Sequence, residues 1–87
     1  MANWNSETNL MWINISNDEG IYNELNYITE NNTELDDYAL GELFQEYIEE
    51  NFITGKFQDI ITIYDSWTMR DFSQIDWQAI AHAWRQP

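Results

Sequence analysis

Between residues 34 and 50 the chain places Glu34, Asp37, Glu42, Glu46, Glu49 and Glu50, with Tyr38 among them and no lysine or arginine. At about 100° per residue, a helix from about Glu34 to Glu50 gathers Leu40, Leu43, Phe44, Tyr47 and Ile48 on one face. Glu42, Glu46, Glu49 and Glu50 fall on the other, with Tyr38 and Gln45 nearby. Carboxylates four residues apart on a helix stand about 5–6 Å from one another, and like charges at that spacing destabilise it. A solvated face serves solubility, but such faces ordinarily mix signs. An unrelieved row of negative charge has the pattern of a phosphate backbone. It suits the arginines and lysines that line the groove of a nucleic-acid-binding protein. Glu34, Asp37, Glu42, Glu46, Glu49 and Glu50 are the expected partner-binding residues, with Tyr38 as an aromatic anchor.

Other chemistries find less support. Asp18-Glu19 and Asp36-Asp37 do not follow the D-x-[DN]-x-[DN]-G pattern of a Ca²⁺ loop, and acids at helix starts account for them better. His82 is the single histidine and there is no cysteine, so HxxxH, HExxH and thiolate zinc sites are impossible. No G-x-S-x-G surrounds a serine, and no glycine-rich phosphate loop occurs. His82 therefore reads as a half-buried structural residue. Carboxylate pairs are too common in so acidic a chain to single out an acid–base site, and a small convex helical domain rarely holds a substrate pocket. The expectation is a binding protein, not an enzyme, with no metal and no cofactor.

The elements that position these residues read as helices. Ser16-Asn17-Asp18-Glu19, Thr33-Glu34-Leu35-Asp36 and Ser73-Gln74-Ile75-Asp76 each set a hydroxyl three residues before an acid, a helix-start signature. Apolar residues at helical spacing follow each: Ile21, Leu25 and Ile28; then Leu40 to Ile48; then Trp77, Ile80, Ala81 and Trp84. Phe57, Ile60, Ile61, Tyr64 and Trp67 read the same way after Thr54-Gly55. Residues 7–15 fit a short helix or a strand, and a lone strand would have no partner. The fold class is all-α, a compact bundle of four to five short helices in a single acidic domain over residues 1–87.

The 87 residues hold sixteen acids and three bases, a net charge of −13. That excludes an electrostatic grip on DNA, RNA or an anionic membrane. No apolar run reaches the roughly 18 residues of a membrane span, and MANWNSETNL has neither the n-region nor the h-region of a secretory signal. Five Trp, five Tyr and four Phe argue for a folded, aromatic-rich core against the disorder that the charge favours. Stability should be modest and rise with salt. Residues 1–55 carry twelve acids and no base, whereas residues 56–87 carry four acids and three bases and hold Trp67, Trp77 and Trp84. Those tryptophans lie in apolar stripes and read as core, leaving Trp4 as the ring expected to be exposed.

Two stretches carry a resemblance. One runs from Trp4-Asn5-Ser6-Glu7-Thr8 through Trp12-Ile13 to Asn17-Asp18-Glu19-Gly20-Ile21-Tyr22. The other is Ser73-Gln74-Ile75-Asp76-Trp77-Gln78-Ala79-Ile80-Ala81. In that order they resemble a family of small proteins carried by phages, plasmids and other bacterial mobile elements. Asn9 departs from the family's usual Trp, and the opening Trp-to-Glu spacing is one residue short. The shared positions are apolar or capping and read as fold, not as a site. What the resemblance implies is a genomic setting in which host defence must be evaded, and a place in the bacterial cytoplasm. Together with the charge it leads to the expectation of a counter-defence inhibitor, similar to anti-CRISPR and anti-restriction proteins. The expected partner is a host nucleic-acid-binding protein such as a defence nuclease or Cas effector. The protein would act as a monomer or weak homodimer, since pairing sets −13 against −13. The rival expectation is a small adaptor that binds through the near-neutral, Trp-rich half, with the acids serving solubility alone.

Overall fold

The computed structural model describes residues 4–53 and 73–86. Among these residues the protein is an all-α bundle of four helices: α1 (Ser6–Asn17), α2 (Glu19–Glu30), α3 (Asp37–Ile53) and α4 (Trp77–Arg85). Residues 7–15 are helical. The segment from Phe57 to Trp67 and the tryptophan at its end lie outside the described residues.

Each helix starts on an Asn or Asp side chain that accepts the N–H three residues on. Asn5 takes Thr8 at 2.8 Å, Asp18 takes Ile21 at 2.9 Å, Asp36 takes Ala39 at 2.8 Å and Asp76 takes Ala79 at 3.0 Å. The hydroxyls at Ser16, Thr33 and Ser73 do not cap. In two of the three signatures the acid read as the fourth position is itself the cap, and in the first it is Asp18. An ionised carboxylate at this position satisfies an orphan N–H and meets the positive end of the helix dipole. Asp18 alone joins α1 to α2, ending one helix and capping the next in an extended conformation.

The asparagine content has a matching use at the other helix ends. Neither α1, α2 nor α3 has a basic residue in its last turn. Side-chain amides near these ends donate to helix carbonyls four residues back, and one of them, Ile28 O, is a carbonyl of the last turn of α2 without an intrahelical partner. Asn17 bonds Ile13 O at 2.7 Å, Asn32 bonds Ile28 O at 2.8 Å and Asn51 bonds Tyr47 O at 2.7 Å.

The core takes Met11 and Ile15 from α1, Ile21 and Leu25 from α2, Leu40, Phe44 and Ile48 from α3, and Ile75, Trp77, Ile80 and Ala81 from the start of α4. α3 and α4 form the most extensive contact. It is close because Gly41 is buried against the α4 backbone: a Cβ there would stand 2.7 Å from Trp77 O and 2.8 Å from Trp77 C. Trp4 corrects its expectation. It is half-buried, packs against the core and meets Trp12 edge-on at 5.4 Å. No described helix is long and apolar enough to cross a membrane.

Candidate functional site

α3 positions most of the acidic row. Leu40, Phe44 and Ile48 are buried at i, i+4, i+8 and fix which side of the helix faces inward. Glu42, Glu46 and Glu50 are exposed on the other side, with Glu49 half-buried and accepting from Gln45 Nε2 at 3.1 Å. Tyr38 begins the row and is 61% exposed. Glu34 is exposed but precedes the helix, in the turn between α2 and α3.

Asp37 stands apart from the row. It shares the side of Gly41 and Phe44, at i, i+4, i+7, and so faces α4. Its Oδ1 accepts from Arg85 Nη1 at 3.0 Å and its Oδ2 lies 2.8 Å from His82 Nδ1. Arg85 also donates to the carbonyls of Asn32 and Leu35, so one guanidinium ties the α2–α3 turn to the last turn of α4. The His82 hydrogen bond holds the Asp37 carboxyl below its ordinary value; partial burial opposes this and Arg85 reinforces it. His82 is not half-buried as expected: its side chain is 65% exposed.

Two depressions border the row. One, of about 270 Å³, lies between Tyr38, Glu42 and Gln45 of α3 and Asp76, Trp77 and Gln78 at the start of α4. The other, of about 340 Å³, sets Glu46 and Glu50 beside Ile28, Asn32, Leu43 and Tyr47. Each combines carboxylates with an apolar wall, which suits a lysine or arginine whose stem packs while its head is paired. Burial, with Glu24 and Asp18 adding to it, raises the Tyr47 phenol, so this wall stays uncharged.

Sequence reasoning missed Asp76 as a neighbour of Glu42. It is 34 positions away, and the local pattern marks it only as a helix-start acid. The signal for its placement is Gly41, the one position in α3 where the α4 backbone can come this close. Among the described residues no group of three or more Asp, Glu or His is placed to hold a metal ion.

No protein-family model, curated protein or solved structure matches the chain.

Proposed function

We propose that the protein is a counter-defence inhibitor that binds a basic, nucleic-acid-binding host protein through the exposed side of α3. The observation that carries this reading is the unrelieved row Glu42, Glu46, Glu49 and Glu50 on a helix whose opposite side is core. At 1.5 Å rise per residue these four charges occupy about 12 Å, or one per about 4 Å. One DNA strand carries a charge per roughly 3.4 Å. The row thus approaches the linear charge density of the ligand that such a groove holds. Tyr38 and Asp76 extend the contact, and Asp37 serves the fold.

The test is capture from a bacterial lysate on immobilised protein, eluted by rising salt and by added DNA or RNA. A basic nucleic-acid-binding protein should be retained, leave as salt rises and be displaced by nucleic acid. Glu46→Lys with Glu49→Lys should abolish its retention while helicity by circular dichroism is kept. Undiminished retention by the double variant would overturn the reading. It would favour the adaptor reading, in which the near-neutral, Trp-rich half binds the partner and the acids serve solubility alone.

A further inference from the structure

A groove of about 510 Å³ opens between the end of α1, the start of α2 and the end of α4, with Trp12, Ser16, Tyr22, Asn26, His82 and Trp84 among its walls. Trp12 and Tyr22 both pack on Trp84, at centroid separations of 5.3 and 5.4 Å and interplanar angles of 76° and 50°. The aromatic walls are therefore inclined to one another. They are also fixed in place. Trp84 Nε1 donates to Asn26 Oδ1 at 2.9 Å, Phe44 meets the Trp84 ring edge-on at 5.9 Å, and Trp4 buttresses Trp12. Walls ordered before a ligand arrives lose little freedom on binding it.

The electrostatics select the sign of the occupant. Aromatic faces carry the negative part of the ring quadrupole and attract cations. Ala83, Trp84 and Gln86 bring the C-terminal end of α4, the negative end of its dipole, to the same groove. The chain as a whole carries −13. Among the described residues neither lysine nor arginine lines the groove, and Arg85 is engaged with Asp37, Asn32 and Leu35.

We propose that this groove binds a small quaternary ammonium solute of the choline class. A guanidinium is flat and stacks on one ring face at a time. A tetrahedral ammonium clad in methyl groups touches several inclined faces together and has little hydration to lose. The site uses none of the carboxylates of α3 and stands or falls separately from the inhibitor reading.

Choline and its uncharged carbon isostere, 3,3-dimethylbutan-1-ol, test this by NMR at fixed ionic strength. Choline should shift the indole N–H resonances of Trp12 and Trp84 saturably, and its own methyl signals should move upfield. The alcohol should bind at least several-fold more weakly. Tyr22→Leu leaves the net charge unchanged, removes a ring that is 45% exposed, and should weaken choline about five-fold. Should that variant disturb the fold, the choline–alcohol comparison on the unaltered protein decides by itself. Equal binding of the alcohol, absence of a saturable shift, or tighter binding of N-acetylarginine amide or of a trimethyllysine peptide would each overturn the proposal.

Discussion

The hydroxyl of Thr8 accepts the backbone N–H of Asp76 at 2.9 Å, across 68 positions of sequence. Thr8 is fully buried, and the bond lies where α1 meets the segment that starts α4. Asn5 adds a second tie, donating to Gln74 O at 2.7 Å. The stretch from Trp4 to Tyr22 and the stretch from Ser73 to Ala81 are therefore joined to each other. Asn5 and Thr8 thus anchor the segment that starts α4 to the start of α1.

Replacing Thr8 by Val keeps the shape and removes the acceptor, which leaves the Asp76 N–H without its partner. The expected cost is about 1–2 kcal/mol, a fall in Tm of roughly 5–10 °C for a domain of this size. Thr8→Ser should retain most of the stability. Thermal unfolding followed by circular dichroism separates the two variants, and a Thr8→Val variant as stable as the unaltered protein would show that the hydroxyl's bond to Asp76 contributes nothing.

Gly41→Ala tests the approach of α3 and α4. In an exposed helix interior this change would be favourable by up to about 1 kcal/mol. Here the added Cβ would meet Trp77 O at 2.7 Å and Gln78 N at 3.0 Å, both backbone atoms. Neither can rotate away, so α4 must shift. The variant should lose about 1–3 kcal/mol in a urea titration. A stabilised variant would show that the two helices do not pack this closely.

Much of the bundle was legible because its periodicity is strong. Trp77, Ile80, Ala81 and Trp84, and Leu40, Phe44 and Ile48, each lie on the buried or half-buried side that their spacing assigns. The helix starts were less legible. Hydroxyls and carboxylates both accept the same N–H, and an Asp competes two or three residues downstream of Ser16, Thr33 and Ser73 alike. The difference is measurable at Asp18. Asp18→Ala should cost about 1 kcal/mol and Asp18→Asn much less. Ser16→Ala should change little, because the Ser16 hydroxyl makes only a long 3.3 Å bond to Ile13 O. Chemical denaturation of the three variants decides which residue caps α2. The relation of Asp37 to Arg85, by contrast, depends on how α3 and α4 dock, and no local pattern encodes that.

That relation predicts an acid limb in the stability curve. The Asp37 carboxyl is held below its ordinary value of 3.8 by His82 and Arg85. A carboxylate with a depressed folded-state value contributes stability that is fully present above its unfolded value and is lost as pH falls through the folded one. Asp37→Asn should therefore lower Tm at pH 7, by an amount corresponding to about 1–2 kcal/mol for the weakened charge-assisted bonds. The gap between the two proteins should persist down to about pH 4 and close only below it, once Asp37 in the unaltered protein is itself protonated. Contributions of the other acidic residues are common to both proteins and cancel in the comparison. Thermal melts of the pair from pH 2 to pH 8 measure the gap directly. A gap that stayed constant to pH 2 would show that the carboxylate charge of Asp37 contributes nothing to holding α3 against α4.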